Sequence, residues 1–189
     1  MYKLYFKFGS MGSSKTAQAL MCKFNYEQKG MKVLLIKPVI DTRDIKDGKA
    51  IVRSRIGLEC ECLTFSKDDN LVDLYESTNG FRVIIVDECQ FCTKDQIEQL
   101  KSLTEKVPVF CYGLKTNFKT ELFEGSKRLL EIADSISEIK SVCSCGAKAI
   151  LNARVVNGKV VYEGEEVVVG GDETYVSMCY NCYKKGKEN

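Results

Sequence analysis

With 189 residues, 44% of them hydrophobic and 29% charged, the chain is long enough to bury a core and too evenly mixed for global disorder, so one domain, alone or with a small appendage, is expected. A formal net charge of +2 gives no reason to expect nucleic acid or an anionic membrane as a partner, and no apolar run nears the roughly 18 residues that a bilayer span requires. Ten cysteines beside no histidine set two limits: any general base is a carboxylate, lysine or tyrosine, and any zinc site is built mainly from thiolates. Met1-Tyr2-Lys3-Leu4 leads straight into an apolar run with no signal-peptide core. A cytoplasmic location is therefore expected, where cysteines serve as metal ligands or buried apolar residues.

Residues 2–8 are apolar and aromatic and stop at a glycine, which reads as a strand. The octet Gly9-Ser10-Met11-Gly12-Ser13-Ser14-Lys15-Thr16 follows, and an amphipathic run expected to be helical spans 15–29. Strand, glycine-rich turn and helix is the setting of a P-loop, in which backbone N–H groups gather at a helix N-terminus and favour an anion. Lys15 suits the β- and γ-phosphates, and Thr16 suits Mg²⁺. The pattern G-x-x-x-x-G-K-[ST] is met except at Ser14, where its second glycine would stand. Residues 32–36 form another apolar run, so a βαβ unit is expected, its two strands paired in parallel.

Residues 41–56 are charged and read either as a solvated loop or as a mobile basic segment near a phosphate. Residues 58–65 alternate weakly, as a short strand would, and 70–77 suit a short helix. Residues 81–86 are a buried strand closed by Asp87-Glu88, and Thr93-Lys94-Asp95-Gln96 is a capping box opening a helix to about 106. A strand over 108–112, ended by Gly113, and a helix over 123–133 complete an α/β, doubly wound, mostly parallel pattern. Beyond about 141 short extended runs (149–156, 159–162, 175–178) alternate with glycines, and no helix is expected before 184–189. This is a β appendage of about 50 residues, a size at which domains need a metal or disulfides.

Two constellations carry chemistry. Asp87-Glu88, at the C-terminal end of a strand beside the phosphate loop, divides into a carboxylate for the Mg²⁺ shell and one to take a proton from an attacking hydroxyl. Taken alone, the pair reads equally as a solvated turn. Cys143 with Cys145 and Cys179 with Cys182 suit tetrahedral Zn²⁺, structural because four protein ligands leave no open position. Cys60 with Cys62 and Cys89 with Cys92 are a rival set; the appendage has the greater need of a staple.

Together these motifs resemble the type II (cytosolic, zinc-containing) thymidine kinases over nearly the whole chain. The resemblance is carried by residues 9–16, residues 37–43 ending in Asp41-Thr42-Arg43, Ser54-Arg55-Ile56-Gly57, Asp87-Glu88-Cys89-Gln90-Phe91, residues 112–118, the four cysteines and residues 170–175. It implies a P-loop, RecA-like parallel sheet with helices on both faces over 1–140, and a small zinc-binding β domain over 141–189. The implied reaction moves the γ-phosphoryl group of ATP to the 5′-hydroxyl of thymidine, with deoxyuridine as an alternative acceptor. By similarity Glu88 is the general base; residues 9–16, Asp87 and Gln90 serve ATP and Mg²⁺. Phe91, Leu114 and Phe118 meet the base. Residues 166–175 form a lasso reading thymine through its backbone, with Val168, Gly170 and Tyr175 in contact. The basic segment 43–57 becomes a flexible loop over the phosphates. Feedback by dTTP and a homotetramer are also implied. Asn152 stands where relatives carry threonine against the base, and no base contact is carried over to it. Two rival readings remain, a P-loop ATPase with a nucleic-acid-binding zinc ribbon and a binding-only relative disabled at Ser14.

Overall fold

The computed structural model describes residues 1–39, 45–46, 49–164 and 174–186. In chain order the elements are β1 (Leu4–Phe8), α1 (Lys15–Glu27), β2 (Lys32–Pro38), β3 (Ile45–Lys46), β4 (Lys49–Arg53), β5 (Glu59–Glu61), β6 (Leu63–Phe65), α2 (Leu71–Ser77) and β7 (Phe81–Val86). A 3₁₀ turn (Cys89–Phe91), α3 (Lys94–Ser102), β8 (Val109–Gly113), α4 (Glu124–Ile132), β9 (Ser135–Glu138), β10 (Ser141–Val142) and β11 (Lys148–Ala149) follow. The chain then forms β12 (Leu151–Val156), β13 (Lys159–Val161), β14 (Thr174–Met178) and α5 (Tyr180–Lys185).

Six strands form one sheet in the order β6-β2-β7-β8-β1-β9, and every pairing in it is parallel. A parallel sheet is covered on both faces, so its strands read as continuous apolar runs. The period of two divides them: Leu34, Ile36, Ile84 and Val86 join Leu71 of α2, Ile97 and Leu100 of α3 and Leu129 of α4. Val33, Leu35, Val83 and Ile85 join Ala19 and Leu20 of α1 and Val52 of β4. At α3 the capping box forms in both directions, Gln96 N–H donating to Thr93 Oγ1 at 3.2 Å and Thr93 N–H to Gln96 Oε1 at 3.1 Å.

A second sheet, β13-β12-β14, is antiparallel. It packs with the β10–β11 hairpin and α5 around its own core of Leu151, Ala153, Val155, Val160 and Met178. Its joints to the first sheet include Tyr183 Oη donating to the Phe118 carbonyl at 2.9 Å and a Lys148–Glu138 ion pair.

Four expectations are corrected. β1 and β2 share a sheet but do not pair, since β7 and β8 lie between them; a βαβ sequence pattern fixes parallel sense, not adjacency. Within 41–56, residues 45–46 and 49–53 are strands, Ile51 and Val52 are buried, and Val52 packs in the core shared with α1 and β2; alternating charge hides two core residues. The single strand of 58–65 is split at Cys62 into β5 and β6, which belong to different sheets. The appendage also holds a helix before 184: α5 begins at Tyr180, its N-cap being Cys179, whose Sγ accepts from Cys182 N–H.

Candidate active site

The turn after β1 and the start of α1 form a cradle. Gly12 and Ser14 lie in the left-handed region at φ 73° and 63°, and Ser13 N–H donates to Ser10 O at 3.2 Å. No side chain caps the first turn of α1, so its leading N–H groups face an incoming anion with the helix dipole behind them. Lys15 is buried and donates to Ser10 O at 2.8 Å. Burial lowers its pKa, opposed by Glu88 and Asp87. Ser10 Oγ is buried with no hydrogen-bond partner among the described residues, the condition of a donor awaiting a ligand oxygen. The Arg55 guanidinium approaches Gly12, its Nη1 lying 3.6 Å from where a Cβ on that glycine would be.

The acidic pair leaves the C-terminal end of β7. Asp87 is buried, and its Oδ2 accepts from Thr16 Oγ1 at 3.1 Å, joining the pair to the phosphate loop. Burial, with Glu88 alongside, raises the Asp87 carboxyl to about 7, so a cation at this point would favour its ionised form. Glu88 turns out of the strand at φ 53°, a conformation that non-glycine residues hold only where surroundings enforce it. Gln90 supplies part of that enforcement. Its Nε2 donates to Glu88 Oε2 at 2.6 Å and its Oε1 accepts Leu114 N–H at 3.0 Å. A Cβ on Gly113 would lie 2.5 Å from Gln90 Oε1 and 2.7 Å from Cys89 Sγ, so the end of β8 has room only for glycine.

Beyond Glu88, Phe91 is half-buried and meets Phe123 edge-on at 5.5 Å. Leu114 is half-buried, and its carbonyl accepts from Ser126 Oγ at 2.5 Å. Phe118 is 1% exposed, and the Arg154 guanidinium covers its ring at 3.8 Å. Arg154 Nη2 in turn donates to Tyr175 Oη at 2.8 Å. Phe118 and Tyr175 therefore meet through Arg154. Val168 and Gly170 lie outside the described residues, as does most of the lasso.

Cys143, Cys145, Cys179 and Cys182 converge, their sulfurs all within 4.8 Å of one another. A tetrahedral zinc thiolate site with bonds of about 2.3 Å has edges of about 3.8 Å, and Cys145 Sγ lies 3.7 Å from Cys179 Sγ. Burial pushes the Cys143 thiol up, but N–H groups of Cys145 and Cys179 and the neighbouring thiols outweigh it and hold it at about 6. The donor set and spacing fit structural zinc. The rival cysteines do not gather: Cys89 and Cys92 are in the core under the first sheet, and Cys60 and Cys62 lie by the opposite face.

Arg154 escapes the sequence reading, Asn152 enters it with no contact assigned, and Ser177 escapes it too. The signal for the first two is a polar side chain inside the apolar run Leu151-Asn152-Ala153-Arg154-Val155; both are buried, and a buried polar group needs a partner. Ser177 carries no comparable signal. Asn152 and Ser177 both reach Met11 of the phosphate loop: Met11 N–H donates to Asn152 Oδ1 at 2.6 Å, and Ser177 Oγ donates to Met11 O.

A family model described as "Thymidine kinase" matches residues 2–183. A protein of Zymomonas mobilis named "Thymidine kinase" is 44% identical, over 95% of this chain and 94% of its own. Proteins of the same name from Legionella pneumophila, at 42% identity over 99% and 91%, and Shewanella oneidensis, at 41% over 98% of both chains, are similarly related.

Proposed function

Because the chain belongs to the thymidine kinase family, we propose that it transfers the γ-phosphoryl group of ATP to the 5′-hydroxyl of thymidine, giving TMP, with deoxyuridine as an alternative acceptor. The observation that carries the reading is the Thr16–Asp87 contact of 3.1 Å, which unites the loop after β1 with the acidic pair after β7 at one sheet edge. Ligands of open α/β sheets bind at that edge.

In this reading residues 9–16 cradle the phosphates through backbone N–H groups other than those of Gly9, Met11 and Ser13, which bond within the protein, and Lys15 exchanges the Ser10 carbonyl for a phosphate oxygen. Bound Mg²⁺, held by the Thr16 hydroxyl and the Asp87 carboxylate, would neutralise charge on the transferring group. Glu88 takes the proton of the 5′-hydroxyl as that oxygen bonds to the γ-phosphorus and the bond to ADP breaks. Gln90 holds one Glu88 oxygen and leaves the other for the substrate. Phe91, Leu114, Phe118 and Tyr175 frame the base, with Val168 and Gly170 reading its edge through the backbone.

The proposal extends to structural zinc on the four cysteines, a domain boundary near residue 140 and a cytoplasmic location where ten cysteines stay as thiols. It includes feedback by dTTP, which carries both the thymine and the triphosphate these sites accept. A homotetramer is proposed too, supported by Met21 and Phe24 of α1, which are 55% and 60% exposed.

The test is purified protein with ATP, Mg²⁺ and labelled thymidine. TMP is expected; ATP hydrolysis that ignores thymidine and yields no TMP would sink the reading. Glu88→Gln is expected to lower kcat by about 10²- to 10⁴-fold with little change in either KM.

A further inference from the structure

The phosphate loop is anchored from outside itself. Both polar groups of Met11, near its tip, are taken by the second sheet, the N–H by Asn152 Oδ1 at 2.6 Å and the carbonyl by Ser177 Oγ. These side chains are direct partners across the β12–β14 ladder. Directly opposite residues share a face, so the two emerge side by side and grip one residue at two points. Ser177 lies two residues before Cys179 of the four-cysteine cluster, which ties its strand to a stapled end. The loop has two left-handed positions, Gly12 and Ser14. Holding it ready before ATP arrives reduces the ordering cost of binding.

We propose that Asn152 and Ser177 are positioning residues for the donor site: by fixing Met11 from the second sheet, they set the affinity of the phosphate loop for ATP. The proposal rests on the reading of residues 9–16 as the ATP-phosphate site. It separates from two other roles. A residue touching the nucleoside would alter KM for thymidine. A residue that only stabilises the fold would alter the thermal midpoint and zinc content and leave the KM values alone.

The experiment is steady-state kinetics on the full zinc-loaded chain with each substrate varied, for Asn152→Ala, Ser177→Ala, the double variant and Ser177→Thr. Loss of one such hydrogen bond is expected to raise KM for ATP about fivefold to tenfold, with kcat and KM for thymidine within about twofold of the parent. The double variant is expected to lose less than the product of the singles, because both side chains hold the same residue. Ser177→Thr keeps the hydroxyl and returns KM for ATP to near the parent value. Should Asn152→Ala fail to fold, the Ser177 alanine–threonine comparison decides. An unchanged KM for ATP in Ser177→Ala, a change confined to KM for thymidine, or a threonine variant as impaired as alanine overturns the proposal. A parent protein that makes no TMP overturns the underlying reading as well, and is told apart because it fails before any variant is compared.

Discussion

Ser14 departs from the P-loop pattern at a position whose backbone has a physical demand. Its φ of 63° is one that glycine adopts freely and an L-residue adopts at a cost of about 1 kcal/mol. Ser14→Gly is therefore expected to raise unfolding free energy by roughly 0.5–1 kcal/mol, read by urea denaturation, without weakening ATP. Gly113 works the other way. A methyl there would displace the Gln90 amide and the Cys89 thiol, and with them the group that orients Glu88. Gly113→Ala is expected to cost about 1–3 kcal/mol of stability and to lower kcat more than either KM. The octet and the acidic pair stand out in the sequence because the chemistry proposed for them requires fixed residue types at fixed spacing, and the Thr16–Asp87 contact brings them together. The Gln90–Glu88 bond does not, because the resemblance assigns Gln90 to the ATP site without saying which way its amide turns.

At the scale of elements, apolar runs, caps and glycine stops gave the main strands and helices, while strand order and the fate of charged segments stayed hidden. Residues 49–53 show why: Ile51 and Val52 are core residues between Lys49 and Arg53, whose side chains reach Glu61 and Glu59 across the ladder. Solvated loop and half-buried hairpin have the same composition. The start of β1 is held by Asp134, whose carboxylate accepts from Lys101 Nζ at 2.7 Å and from Leu4 N–H at 2.7 Å. Those bonds hold its pKa below the usual carboxylate range, Lys101 first and Leu4 second. A depressed folded-state pKa adds stability above the unfolded-state value of about 4, and that stability is lost as pH falls through the folded value. Asp134→Asn is expected to be less stable than the parent at neutral pH and to show a shallower acid limb below about pH 4, measured by thermal midpoint against pH.

At the scale of the molecule, the second sheet has a core of its own beside the two that cover the first sheet, and it is tied to the first at Met11, Phe118 and Glu138. Its core is the one with four converging thiols, and chelation is expected to lower the thermal midpoint by roughly 10 °C, since structural zinc contributes several kcal/mol to such domains. Zinc added back should restore both midpoint and activity. The sheet order has a further consequence, for synthesis on the ribosome. β1 is translated first, yet its neighbours are β8 and β9, with Leu4 opposite Val109 and Tyr5 opposite Ser135. At about 5–20 residues per second, the first strand waits on the order of ten seconds for a partner. The phosphate loop it carries cannot take shape until most of the chain has left the exit tunnel.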